Sequence, residues 1–263
     1  MRKAWFHALG WATLVLTSAS VSAADQPAPP AQAHHWSYAG TNGPGHWGSL
    51  DEANIACGKG EQQSPINLDS RTVKTGKSGK FHINYQPGAV TLLNNGHTVE
   101  AEVGEAADTV TFEGATYRLA QFHFHAPSEH SIDGKHFPLE IHFVNKDAEG
   151  HITVVGVLVR AGAENKNLAA VFNALPAHET PAGEHTGKPA QADLAAVLPS
   201  EHKAFVYNGS LTTPPCTEGV HWIVLAQPVE MSREQIGNFA KIFHDNHRPL
   251  QKVNGRQIDS ETY

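Results

Sequence analysis

Gln121-Phe-His-Phe-His125 and Glu140-Ile-His142 are the stretches from which the rest of the chain is read. Side chains along a β-strand alternate faces with a period of two. On that geometry His123 and His125 point to one side, and Phe122 and Phe124 to the other. In the second stretch Glu140 and His142 share a face, while Leu139, Ile141 and Phe143 take the opposite one. Two neighbouring strands of this kind aim three imidazoles at one point. Three His nitrogens with one open position make a catalytic zinc site, as opposed to a closed structural one. His-x-His alone is a weak signal, and 18 His among 263 residues make chance pairs common. The third His on a matching strand, with a carboxylate in register beside it, gives the pattern its weight.

Residues 1–24 read as a secretory signal peptide: Arg2 and Lys3, a short apolar run from Ala8 to Leu16, then small residues at Val21-Ser-Ala-Ala24. The alternative is a buried N-terminal helix or a membrane anchor, for which the run is short. Residues 25–33 are Pro/Ala/Gln-rich and read as a flexible leader. Residues 34–263 then form a single domain, large enough to bury a substantial core. Removing Arg2 and Lys3 takes the net charge from −7 to −9, which speaks against nucleic acid as a partner. No later stretch reaches the length of a membrane span. The two cysteines, Cys57 and Cys216, suit one disulfide in an exported chain, the alternative being two buried thiols.

Most of the domain reads as strands between turn residues. Ala89–Leu93 and Thr98–Val103 flank Asn94-Asn-Gly96, and Asp108–Phe112 and Thr116–Phe124 flank Glu113-Gly114. Leu139–Asn145 precedes Ile152–Arg160, a nearly continuous Val/Ile/Leu run expected to be buried on both faces. Lys203–Tyr207 and Val220–Leu225 complete the set. Helices are few. Leu168, Val171, Phe172 and Leu175 repeat with helical spacing, as do Ile236, Phe239, Ala240 and Phe243 behind a Ser232–Gln235 capping box. Residues 183–191 read as a polar surface loop. There is no Gly-rich phosphate loop and no Gly-x-Ser-x-Gly elbow. The fold class is therefore mainly β, a β-rich α+β domain.

Nine segments in order add a resemblance. They are His35-Trp-Ser-Tyr38, Gly43-Pro-Gly-His-Trp47, Gln63-Ser-Pro-Ile66, Asn94-Asn-Gly-His97, Gln121–His125, Ser128-Glu-His130, Glu140–His142, Gly209–Cys216 and Asn246–Gln251. Together they resemble the α-class carbonic anhydrases across nearly all of residues 35–256. The short step from His125 to Glu129, the signal peptide and the cysteine pair are similar to the exported bacterial type. The resemblance implies a large twisted, mostly antiparallel sheet with short peripheral helices. It implies reversible, zinc-dependent hydration of carbon dioxide to bicarbonate and a proton, by attack of a zinc-bound hydroxide, in the bacterial periplasm. A three-His catalytic zinc is itself the hallmark of that family.

The resemblance also assigns roles. His123, His125 and His142 match the zinc ligands, with Gln121 and Glu140 holding His123 and His142 from behind. Thr212 matches the acceptor of the hydroxide's hydrogen and Glu129 the carboxylate that accepts from Thr212. Because an ionised carboxylate only accepts, Thr212 must donate to it, and this orients the hydroxide. Val144, Val154, Leu211, Val220, Trp222 and Thr213 match the pocket for an apolar substrate. His97 matches the proton shuttle, for which a group with a pKa near 7 suits best. Tyr38 and Asn95 match residues that order the water chain. Glu100 departs from the family, which usually carries an amide there. Its charge is expected to raise the pKa of His97 or of the zinc water. Bacterial members are often homodimers, and no residue here bears on that.

Two competing readings have sequence tests. A cupin also uses His-x-His followed by Glu, with iron or manganese, but the Gly spacing after Glu129 and the later Pro-x-Gly…His motif are missing. An inactive zinc-binding relative would be expected to lack a ligand, and all three His are present with Thr212 and Glu129.

Overall fold

Phe122, Phe124, Leu139, Ile141 and Phe143 are all buried in one core, which is why the two His-bearing stretches lie side by side as strands. The computed structural model describes residues 35–76, 79–104, 107–176, 184–185, 189–201 and 203–262. The signal peptide and leader expected at 1–24 and 25–33 lie outside the described residues.

The strands that matter for the site are β1 (Pro87–Asn94), β2 (Val99–Val103), β3 (Ala115–His125), β4 (Leu139–Lys146), β5 (Ile152–Ala161), β6 (Lys203–Ser210), β7 (Glu218–Met231) and β8 (Asp259–Thr262). Among the described residues thirteen strands form one sheet, and its central order is β1-β2-β3-β4-β5-β7-β6-β8. The β5–β7 pair and the pairing of β8 with Lys74–Thr75 are parallel; the other ladders are antiparallel. The expected sheet-rich architecture with short helices is what the structure shows. β5 is buried on both faces as its composition requires.

The sheet has two apolar faces. On one, Phe122, Phe124, Ile141, Val155, Val157, Ile223 and Leu225 pack with Phe239 and Ile242 of the helix Arg233–Ile242. That helix begins with the expected Ser232–Gln235 capping box. Phe124 lies edge-on to Phe172 at 5.2 Å and tilted to Phe239 at 5.6 Å, so the back of the His strand is held by two helical segments. The opposite face carries the imidazoles of β3 and β4, with a second core around Val144, Val154, Tyr207, Val220 and Trp222.

One irregularity aims the imidazoles. Opposite β4, the register of β3 jumps from Gln121 (facing Val144) to Leu119 (facing Asn145), so Ala120 is the extra residue of a β-bulge. Before it, Tyr117 and Leu119 fill the main core; after it, Phe122 and Phe124 do. The core-facing positions switch from odd to even numbers, and His123 and His125 are thereby left on the cavity side.

Two expectations are corrected. Residues 183–191 are not simply a loop: Glu184–His185 and Ala190–Asp193 both pair antiparallel with β1, while 186–188 lie outside the described residues. The reason is chemical: Ala190 and Ala192 are the buried positions, and alanine gives no alternation of large apolar groups. The helix expected over 168–175 is a 3-10 turn, Lys166–Leu168, running into a short α-helix, Ala169–Asn173.

Cys57 and Cys216 form a disulfide across 159 positions, joining the helix Ile55–Lys59 to the turn after β6. Among the described residues, no helix is long and apolar enough to cross a membrane.

Candidate active site

His123 and His142 face each other directly across the β3–β4 ladder, and His125 is the next residue on the same face. One ring nitrogen from each lies within 4.8 Å of the others. Their outer nitrogens are all engaged. His123 Nδ1 meets Gln121 Oε1 at 2.8 Å, His125 Nδ1 the Asn246 carbonyl at 2.7 Å, and His142 Nε2 Glu140 Oε1 at 3.0 Å. Carbonyl and carboxylate oxygens only accept, so each outer nitrogen carries the proton and each inner nitrogen presents a lone pair. The inner atoms are therefore His123 Nε2, His125 Nε2 and His142 Nδ1. His125 Nε2 is buried with no hydrogen-bond partner. Three converging lone pairs without a donor fit a borderline-soft cation such as Zn²⁺.

The electrostatics agree for His123 and His125. Burial, with the neighbouring imidazoles adding to it, holds His123 well below the ordinary imidazole range, and burial also lowers His125. For His142 burial acts in the same direction, but Glu140 outweighs it and the net shift is upward. Glu140 is itself held well below the carboxylate range: His130 and His142 overcome the cost of its burial. The close fit behind the ligands depends on a glycine. Gly156 sits opposite His142 on β5, and a Cβ there would stand 3.0 Å from Glu140 Oε1.

Asn246 was legible in the sequence only as part of a motif. Its carbonyl holds His125, and its side chain accepts from Ala126 N and donates to the carbonyls of His97 and Phe124. A backbone acceptor leaves no residue signature, so no sequence pattern marks this role.

The imidazoles open into a cavity of about 230 Å³. Val144, Val154, Leu211 and Trp222 line one side, with Thr212 and Thr213 beside them. Val220 does not line it: it is buried in the second core, the cluster that also contains Val144, Val154 and Trp222. Tyr38, Asn95, His97 and Glu100 also line the cavity, and Trp36, Thr98, Lys146 and Ile152 join the lining without having been expected.

Glu129 is fully buried beside the inner nitrogens of His125 and His142. Its Oε1 accepts from Arg248 N at 2.7 Å, and its Oε2 has no hydrogen-bond partner. Oε2 lies 3.7 Å from His125 Nε2 and 3.9 Å from His142 Nδ1. The Thr212–Glu129 hydrogen bond is thus not formed, although the acceptor assigned to Thr212 is open.

His97 sits in the turn Asn94–Thr98, where Gly96 adopts φ 87°, a conformation that favours glycine. Asn95 Oδ1 accepts the N–H groups of His97 and Thr98, and Asn95 Nδ2 donates to Glu100 at 2.5 Å. The His97 ring stacks on Trp36 with centroids 3.5 Å apart and planes 12° apart. Burial, with His35 nearby, pushes its pKa down to about 4. The upward shift expected from Glu100 is therefore not found at His97. Glu100 is instead engaged by Asn95, and burial raises its own pKa.

A model of the eukaryotic-type carbonic anhydrase family matches residues 42–262. The carbonic anhydrase of Klebsiella pneumoniae is 45% identical over 229 residues, covering 86% of this chain and 91% of that protein. That of Pectobacterium atrosepticum is 42% identical over 225 residues, covering 85% and 90%. Among solved structures, the α-carbonic anhydrase of Thermovibrio ammonificans in complex with the inhibitor sulfanilamide is 42% identical, with a TM-score of 0.81 and coverage of 86% and 99%.

Proposed function

Since the chain belongs to the eukaryotic-type (α) carbonic anhydrase family and is a carbonic anhydrase, an enzyme of carbon dioxide hydration, we propose that it works through a zinc ion held by His123, His125 and His142, with His97 carrying the proton away. The observation behind the metal is the set of three converging, proton-free imidazole nitrogens, each fixed by an acceptor on its far side. Zinc bound there supplies the Lewis acidity that ionises water near neutral pH, for which this family is the standard example.

The remaining chemistry belongs to the protein. Val144, Val154, Leu211 and Trp222 offer a small apolar substrate a surface that competes poorly for water. Glu129 Oε2, when it accepts from the Thr212 hydroxyl, leaves Thr212 only its lone pairs toward the reacting oxygen. His97 takes the released proton at the cavity mouth. Stacked on Trp36 it is a poor acceptor at neutral pH, so relay requires the ring to leave the stack and regain an ordinary pKa. Asn95 and Glu100 hold the turn that carries His97. Tyr38, which burial raises well above the ordinary phenol range, stays a neutral donor.

We assign residues 1–24 to a signal peptide, 25–33 to a leader and 34–263 to the catalytic domain. The address is the periplasm, where the Cys57–Cys216 bond is stable. A homodimer is compatible with this reading.

The test is stopped-flow carbon dioxide hydration with the mature protein, before and after chelation. Fast hydration that chelation abolishes and zinc restores is expected. A folded, zinc-loaded protein without activity would overturn the assignment.

A further inference from the structure

Behind Glu140 the hydrogen bonding does not stop. Glu140 Oε1 takes His130 Nδ1 at 2.8 Å as well as His142 Nε2. His130 Nε2 meets the Tyr207 hydroxyl at 2.7 Å, that hydroxyl meets Ser64 Oγ at 2.8 Å, and Ser64 Oγ accepts from Ser210 N at 3.1 Å. All six residues are buried, from β4 to the end of β6. A Cβ on Gly209 would collide with Ser64 Oγ, so the chain also has its own glycine.

The two ends give this chain one direction. Ser210 N–H can only donate and the Glu140 carboxylate can only accept. Between them each proton has one place. Ser64 donates to Tyr207, Tyr207 donates to the bare Nε2 of His130, and His130 Nδ1–H donates to Glu140. Burial pushes the Tyr207 hydroxyl above its ordinary pKa, so it keeps the proton it must donate. No group in the chain needs to change charge.

We infer that Ser64, Tyr207 and His130 form a directional lock that keeps Glu140 accepting from His142, and so keeps His142 Nδ1 bare for the metal. This rests on the zinc reading above and extends it to residues that touch neither metal nor substrate. They are positioning residues. The lock also begins at Ser210, two positions before Thr212, so it ties the Thr212 segment to a metal ligand across the sheet. Removing the Tyr207 hydroxyl strands the His130 Nε2 lone pair in a buried site. Neither tautomer then finds a partner at Nε2, so the ring is held by Glu140 alone and its grip on the carboxylate loosens.

The test is Tyr207→Phe, which keeps the ring, with Ser64→Ala as a milder break that serves should the first variant not fold. Zinc release into excess chelator is timed, and melting temperatures are taken for metal-free and zinc-loaded forms. Release is expected to quicken about 3- to 10-fold for Tyr207→Phe, below or at the lower edge of what loss of a ligand's direct partner causes. The zinc-loaded form should lose more melting temperature than the metal-free form. An unchanged release rate in a folded variant, or an equal loss in both forms, overturns the inference and leaves the zinc reading intact. A native protein that takes up no zinc overturns both.

Discussion

Replacing Glu140 with Gln keeps the shape of the side chain and removes its charge. The native carboxylate accepts three N–H groups: His142 Nε2 at 3.0 Å, His130 Nδ1 at 2.8 Å and the His130 backbone at 2.8 Å. An amide has one accepting oxygen and one NH₂. With its oxygen at the Oε1 position it serves both imidazoles, but the NH₂ then opposes the His130 backbone N–H. Flipped, the NH₂ faces both imidazoles. Either way a buried donor meets a donor. A hydrogen bond to a charged group contributes about 1.5–3 kcal/mol, and a tenfold change in a binding constant is about 1.4 kcal/mol. Zinc affinity should therefore fall about 10- to 100-fold, which matches the effect expected for the direct partner of a metal-bound His. The assay is competition against a chromophoric chelator at fixed pH, with melting of the metal-free form as a control for folding. A folded Glu140→Gln protein whose zinc Kd stays within about twofold of native would refute the claim that this contact prepares His142 as a ligand.

Four shorter tests follow from other contacts. His97→Ala should lower turnover several-fold in weak buffer, with partial rescue by imidazole; unaffected turnover would place the shuttle elsewhere. The His97 ring should titrate near pH 4 by NMR, against an ordinary value of 6.5. Unfolded chains then bind more protons at this position as pH falls from 6.5 toward 4, so its contribution disfavours the fold in that window and is absent at higher pH. Trp36→Ala removes the stacked partner and should move that midpoint upward, whereas a midpoint unchanged in the variant would mean that the stack is not the source of the burial. Gly156→Ala puts a methyl 3.0 Å from Glu140 Oε1 and should weaken zinc retention with little loss of melting temperature in the metal-free form. Reduction of Cys57–Cys216 should lower the melting temperature, by at most ~5 kcal/mol of stability in the chain-entropy account; an unchanged melt would make the bond structurally idle.

How much of this was legible beforehand depends on where each signal resides. Alternation of large apolar residues is local, so β3 and β4 and the faces of their His and Glu residues could be read directly, and β5 from its continuous Val/Ile/Leu run. The strand Ala190–Asp193 could not, because its inward residues are alanines and its outward ones polar. The imidazole cluster was legible because its ligands sit on adjacent strands. The Asn246 carbonyl, the Trp36 stack on His97 and the Tyr207–His130 contact were not, since each joins residues far apart in sequence through groups without a distinctive pattern. Resemblance placed Val220 at the pocket wall, and only packing shows it buried in the cluster with Trp222 and off the cavity lining.

The extra residue at Ala120 makes β3 carry two messages out of phase. Its first half is keyed to the hydrophobic core through Tyr117 and Leu119, and its second half is keyed through Phe122 and Phe124. Only the offset between them leaves His123 and His125 on the wet side. Deleting a single residue there would force a choice: keep the front half of the strand in the core and turn both histidines inward, or keep the histidines and expose Tyr117 and Leu119. The aim of the site is thus set by the same packing that stabilises the sheet, and a change of spacing along this one strand cannot be made without disturbing the core.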